Sequence, residues 1–241
     1  MTRLAIVTGG TRGIGAAISR DLAGNGYRVA ATYRRNEEIA EAFRRDTGIP
    51  TFHWNVADYG ACEAGVRAVA EALGGTVEVL VNNAGITRDV MFHKMLPEQW
   101  NEVIDCDLTS CFNMCRAVIG PMRERGFGRI VNVSSINGQK GQMGQVNYSA
   151  AKAGVLGFTK ALALESAAKG ITVNALAPGY VTTDMVAAVS EDALRKIEAQ
   201  IPVGRLGRPE EIARAVRFLV SDNASFITGA TVTANGGQYM T

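Results

Sequence analysis

A serine, a tyrosine and a lysine are spaced in this chain so that they can meet around one reacting oxygen. Tyr148 and Lys152 stand four residues apart and so share one face of any helix that carries them. Ser135 lies upstream in the same stretch, far enough for a strand end and a loop to return it to that face. A free tyrosine has a pKa of about 10, which makes it a weak base and a sluggish acid near neutrality. An ammonium within ~4–6 Å favours the phenolate and pulls that value down, towards the range where a proton can be exchanged in catalysis. Ser135, Tyr148 and Lys152 are therefore candidates for an acid/base device acting on a carbonyl or carbinol oxygen. Tyr-x-x-x-Lys alone also describes many surface helices that do no chemistry, so the reading depends on the rest of the chain.

The elements that must position these residues follow an alternating pattern. Short β-branched runs at Leu4–Thr8, Arg28–Tyr33, Thr51–Trp54, Glu78–Val81, Arg129–Ser134, Ile171–Leu176 and Ala230–Ala234 read as strands. Amphipathic segments between them read as helices at Gly13–Asn25, Glu37–Asp46, Tyr59–Leu73, Pro97–Ile119, Tyr148–Ala168 and Glu210–Val220. That order predicts an α/β chain, 1–241, forming a single Rossmann-type domain: a doubly wound parallel sheet of about seven strands with helices on both faces. Residues 182–208 are the least regular span, broken by Pro202, Gly204 and Gly207, and are the expected substrate lid.

Between the first strand and the first helix lies Thr8-Gly9-Gly10-Thr11-Arg12-Gly13-Ile14-Gly15. Glycines in such a turn let the backbone approach a pyrophosphate seated on the helix N-terminus. Gly9, Thr11, Arg12, Gly13, Ile14 and Gly15 are therefore candidate cofactor contacts. The turn could also be purely structural, but a second polar and glycine-bearing strand end, Asn82-Asn83-Ala84-Gly85, closes the fourth strand. In a 3-2-1-4-5 sheet, strands 1 and 4 flank the switch point where ligands bind. At the end of the second strand, an acid would bind a ribose 2′-hydroxyl and repel a 2′-phosphate. The sequence reads Ala31-Thr32-Tyr33-Arg34-Arg35, with no acid and two arginines, and Arg12 can add a third cation. Guanidinium groups suit a phosphate through two parallel hydrogen bonds, which favours NADP(H) over NAD(H).

The composition excludes several other classes. A net charge of +2 without a long basic run argues against nucleic-acid binding. No apolar stretch approaches the ~18–20 residues of a membrane span, and the N-terminus lacks a signal-peptide core. The four cysteines, Cys62, Cys106, Cys111 and Cys115, form no Cys-x-x-Cys pair, and only His53 and His93 could assist them. No metal site is expected; reduced, buried thiols in a cytoplasmic protein are.

The Thr8–Gly15 loop, Asn82–Gly85, Ser135, Tyr148 with Lys152, and Pro178-Gly179 followed by Thr183 occur in the order found in short-chain dehydrogenases/reductases. The resemblance covers essentially the whole chain. It implies that Tyr148 is the general acid/base, that Lys152 lowers its pKa and holds the nicotinamide ribose, and that Ser135 positions the substrate oxygen. It places Asn83, Ala84, Gly85, Pro178, Gly179, Val181 and Thr183 along the cofactor, with Val181 and Thr183 at the carboxamide and Asn55 and Val56 beside the adenine. It also implies a homotetramer, with the helices at Pro97–Ile119 and Tyr148–Ala168 forming subunit faces. One position departs from the family: where it has Asn followed by Leu, this chain has Asp107-Leu108. Asp107 retains a backbone role but not an amide donor, and it can pair with Lys152. Replacing Asp107 by Asn is expected to leave turnover within roughly tenfold, about 1.4 kcal/mol in barrier.

Within the family, the loop Asn137–Gln145 together with Ile86–Asp89 and Pro178-Gly179-Tyr180 resembles reductases of acetoacetyl-CoA that supply polyhydroxybutyrate synthesis. Candidate substrate contacts are Asp89, Gln142, Met143, Gln145 and Tyr180: amides for the thioester or pantetheine, apolar walls for a short acyl chain. The glutamines could instead be an ordinary solvated loop, and Asp89 a cap. The alternative within the family is a 3-ketoacyl-carrier-protein reductase, whose carrier docks on a basic pair near the active-site mouth. The matching positions here are Gly126 and Lys169, with Arg123 and Arg125 close by. A non-catalytic NADP(H) sensor on the same fold, or a reductase of steroids or sugars, are the rivals outside this pair.

Overall fold

The computed structural model describes residues 2–183 and 191–240. Seven strands form one sheet: β1 (Leu4–Val7), β2 (Arg28–Tyr33), β3 (Thr51–His53), β4 (Val77–Asn82), β5 (Gly128–Val133), β6 (Ile171–Pro178) and β7 (Thr231–Ala234). Their order is β3-β2-β1-β4-β5-β6-β7 and every pairing is parallel. Parallel strands buried on both faces need apolar side chains on both, and β1 shows it in four residues. Leu4 and Ile6 enter one core layer, Ala5 and Val7 the other.

The helices divide accordingly. On one face lie α1 (Gly13–Gly24), α2 (Glu37–Thr47, through Phe43) and α9 (Pro209–Val220), whose Ile212, Val216 and Leu219 pack on Val7, Val81 and Leu176. On the other lie α3 (Tyr59–Leu73), α5 (Ser110–Arg125) and α7 (Val146–Ser166), with Met114, Val118 and Ala163 against Leu80 and Ile130. Shorter helices are α4 (Pro97–Ile104), α6 (Ile136–Lys140) and α8 (Glu191–Glu198). The fold is thus the expected Rossmann-type doubly wound domain.

Two expectations need correcting. The single helix over Pro97–Ile119 is α4 and α5 joined by a π-turn at Asp105–Thr109, and it runs on to Arg125. The loop expected between Ser135 and Tyr148 holds the short α6, with Ser135 as its N-cap: Oγ accepts from Asn137 N–H at 3.1 Å. Of the expected lid, residues 184–190 lie outside the described ones. The returning leg is tied to the body, because Val203 N–H donates to Gly236 C=O at 3.1 Å and Thr182 N–H to Gly207 C=O at 2.9 Å.

All four cysteines are unpaired and buried. Burial pushes the thiols up, Cys62 and Cys106 to about 12 and Cys111 to about 11. No described helix is long and apolar enough to cross a membrane.

Candidate active site

The candidate residues gather where the strands end. Helix α7 is fixed over that edge by a run of buried amides: Asn82 Nδ2 donates to Asn132 Oδ1 at 2.8 Å, and Asn132 Nδ2 to Thr159 Oγ1 at 2.9 Å. Ser134 Oγ donates to Lys152 C=O at 2.8 Å, clamping the strand end to the helix. Asn147, fully buried, donates to the carbonyls of Arg88 and Gln99, each at 3.2 Å, and so ties the start of α7 to the segment after β4. None of Asn132, Ser134, Asn147 and Thr159 was distinguished by the sequence reading; polar residues at strand ends and inside an apolar helix face are the signal that could have found them.

Ser135, Tyr148 and Lys152 converge as their spacing implies. Lys152 is buried, its Nζ donates to Val133 C=O at 3.0 Å, and it lies 5.6 Å from the Tyr148 ring centroid. The Asp107 pairing is present: Oδ2 stands 3.2 Å from Nζ, an ionic contact without hydrogen-bond alignment, while Oδ1 accepts from Ile86 N–H at 2.8 Å. Gly85 presses against this pair. A methyl group there would come within 2.8 Å of Asp107 Oδ2 and 3.3 Å of Lys152 Nζ.

The electrostatics differ from the simple expectation that Lys152 draws the Tyr148 pKa down. Burial raises it and wins; Lys152 and the Ser135 hydroxyl pull the other way, and the Asp107 and Asp89 carboxylates add to the rise. For Lys152, burial disfavours the charge, but Asp107 and Tyr148 more than offset it, so the ammonium is held above its usual range. Burial raises Asp107, against the opposing effects of Lys152 and the Ile86 N–H.

The two glycine-bearing loops lie side by side, joined through a residue outside the candidate set. Thr8 Oγ1 accepts from Asn83 N–H at 2.9 Å and Ala84 N–H at 3.0 Å, and Asn83 Nδ2 donates to Thr8 C=O at 2.9 Å. At Gly15 a Cβ would lie 2.1 Å from Gly9 C=O, so no larger residue fits the turn. Helix α1 begins after Arg12 with no side-chain cap and no acid in its first turn. Its leading N–H groups are thus open to an anion, which fits the pyrophosphate of a dinucleotide. Thr183 lies over this loop, its Cγ2 3.6 Å from where a Gly13 Cβ would be.

Arg12, Arg34 and Arg35 are exposed, and their guanidinium groups make no ion pair or hydrogen bond to another described residue. The first acids after β2 are Glu37 and Glu38, already inside α2. Asn55 turns the chain after β3 by accepting from Ala57 N–H at 3.2 Å, and Val56, buried, has its carbonyl held by Asn113 Nδ2 at 3.0 Å. Pro178 ends β6; beyond Gly179 and Tyr180, Val181 is buried and bridged to Gly207.

Of the substrate candidates, the structure joins two directly and sets a third beside them. Gln145 Nε2 donates to Asp89 Oδ2 at 2.7 Å, Asn137 Nδ2 donates to Gln145 Oε1 at 2.9 Å, and Tyr180 lies close enough for Asn137 and Asp89 to act on its hydroxyl in opposite directions. Asp89 is not a cap but part of this wall, and Asn137 is a member the sequence reading left out. Gln142 makes no such bond, and Met143 projects outward, 81% exposed. The carrier-docking positions fall elsewhere. Gly126 and Lys169 precede β5 and β6, at the edge where strands begin, while Ser135 follows the end of β5, a strand of roughly 20 Å away. Arg123 is bound to Glu165 C=O at 2.9 Å, and Arg125 lies 3.9 Å from Glu78.

A seven-stranded parallel sheet with a dinucleotide cradle at its switch point and a Ser-Tyr-Lys cluster beside it defines a nicotinamide-dependent oxidoreductase fold. The chain belongs to the short-chain dehydrogenase/reductase family. A family model described as Enoyl-(Acyl carrier protein) reductase matches residues 9–239. The chain is 65% identical over 240 residues to an acetoacetyl-CoA reductase of Rhizobium meliloti (strain 1021), covering 99% of each. It is 63% identical over 240 residues, again 99% of each, to an acetoacetyl-CoA reductase of Shinella zoogloeoides. A 3-oxoacyl-acyl-carrier-protein reductase of Vibrio cholerae is 45% identical over 240 residues, 99% of this chain and 98% of that protein.

Proposed function

We propose that this chain reduces the C3 ketone of acetoacetyl-CoA with NADPH, yielding (R)-3-hydroxybutyryl-CoA. The observation that carries the reading is the convergence of Ser135, Tyr148 and Lys152 in a chain 65% identical over its length to an acetoacetyl-CoA reductase. When bound, the nicotinamide supplies the hydride. Tyr148 gives its phenolic proton to the oxygen as negative charge develops there, and Ser135 Oγ donates a hydrogen bond to the same oxygen. Lys152 stabilises the phenolate left behind and holds the ribose. Arg12, Arg34 and Arg35 supply cations for the 2′-phosphate, in keeping with guanidinium groups that make no ion pair among the described residues. The Asp89–Gln145–Asn137 wall and Tyr180 orient the thioester.

A groove of about 600 Å³ runs between α5 and α7, lined by Phe112, Ile119, Phe158 and Leu162 with Arg116 and Glu165 among its polar residues. It supports the homotetramer that the family resemblance implies, two such faces meeting across a two-fold axis. The unpaired thiols accord with a cytoplasmic enzyme.

NADPH absorbance followed with acetoacetyl-CoA and acetoacetyl-carrier protein at equal concentration tests the proposal. The CoA thioester should be favoured at least about tenfold in kcat/KM, roughly 1.4 kcal/mol. Comparable rates on both would remove the CoA assignment, and no oxidation with either would leave a sensor rather than an enzyme.

A further inference from the structure

Asp107 is fully buried, in a π-turn whose wider winding brings its carboxylate over Lys152. Both oxygens face the site: one holds Ile86 N–H, the other stands 3.2 Å from the Lys152 ammonium. The backbone of Gly85 closes over the pair, with no room for a side chain. We propose that Asp107 is a positioning residue that neutralises the Lys152 ammonium, which would otherwise draw the proton off Tyr148, so that the phenol keeps the proton it gives to a ketone over a wider range of pH. This rests on the reductase reading above.

The charges around Tyr148 come from each packed element. Lys152 faces it from its own helix, Asp107 from the π-turn, Ser135 from the end of β5 and Asp89 from the segment after β4. Burial, Asp107 and Asp89 favour the phenol, and only Lys152 and Ser135 favour the phenolate. A neutral amide at position 107 would leave the ammonium unopposed. Cys106 and Cys111 also lie near, but with thiols pushed up to about 12 and about 11 they stay neutral at working pH. The Asp107 carboxyl faces an ammonium and an N–H donor, the two partners that favour its charged form against the burial that raises it.

The test is a pH titration of phenolate absorbance in the free enzyme, taking the difference between parent and Tyr148→Phe, repeated on Asp107→Asn. The amide keeps an oxygen for Ile86 N–H, and Asp107→Ser, smaller and uncharged, serves as a second variant. In both, the Tyr148 midpoint should move towards lower pH by about one unit or more. The rate of 3-hydroxybutyryl-CoA oxidation should reach its alkaline plateau at a correspondingly lower pH. An unmoved midpoint, or a uniform loss of rate at every pH without a shift, overturns the proposal. The absorbance titration needs no substrate, so a midpoint that moves in an enzyme inactive on the CoA thioester would uphold Asp107 while removing the substrate reading.

Discussion

Arg34 and Arg35 illustrate how a residue reading turns into a measurement. Both extend into solvent from the end of β2, with the backbone held in place where His53 Nε2–H donates to Arg34 C=O at 3.0 Å. Charge-assisted hydrogen bonds to a phosphate contribute about 1.5–3 kcal/mol. Arg34→Ala with Arg35→Ala should therefore raise KM for NADPH by roughly 10- to 100-fold while leaving KM for NADH within about threefold, checked by initial rates with each cofactor. Equal effects on both would mean the arginines do not read the 2′-phosphate. Ser135, Tyr148 and Lys152 were legible because the four-residue spacing of Tyr148 and Lys152 stood beside two glycine-bearing loops at strand ends, which turned a weak pattern into a specific one. The direction of the Tyr148 shift was not, since it depends first on burial in the folded chain and then on the carboxylates of Asp107 and Asp89, distant in sequence.

Among elements, the join between β1 and β4 matters most for the cofactor. Thr8 Oγ1 is the acceptor for two successive N–H groups of the second loop, Asn83 and Ala84. Thr8→Val keeps the shape but leaves both donors without that acceptor, at about 1–3 kcal/mol each. The unfolding free energy should fall by roughly 2–4 kcal/mol, and affinity for NADPH should weaken with it, read by denaturant unfolding and by titration. A change under about 0.5 kcal/mol would show that water replaces the hydroxyl. The strands were legible from their β-branched runs, because the central ones are buried on both faces, while β3 and β7 at the edges are only partly covered. The π-turn was not: Asp105-Cys106-Asp107-Leu108-Thr109 continues an ordinary helical pattern, and its extra width accompanies a tertiary bond, Asp107 to Ile86. Helix α6 escaped notice because Asn137-Gly138 reads as a turn, though Ser135 caps it.

For the whole molecule, the α5–α7 groove predicts a change in assembly. Phe158 lines it, and a charge there would have to be desolvated in any close contact. If the proposed tetramer forms through this face, Phe158→Glu should convert it to smaller species in sedimentation velocity, with the monomer fold retained by circular dichroism. An unchanged sedimentation coefficient would place the subunit contact elsewhere.

The strand order also has a consequence for how the chain is made. Among the described strands, β1 with β4 is the one ladder that joins residues before 54 to those after 77. While the protein emerges from the ribosome, β1 must wait, one edge bare, until Val77–Asn82 arrives. The seam between the two halves is the one Thr8 laces to Asn83 and Ala84, which is also the floor of the candidate dinucleotide cradle. A dinucleotide that binds only the closed seam draws the nascent chain towards its finished state by mass action. A dinucleotide that stabilises the closed seam should therefore raise the yield of folded chain on refolding, read with and without NADPH.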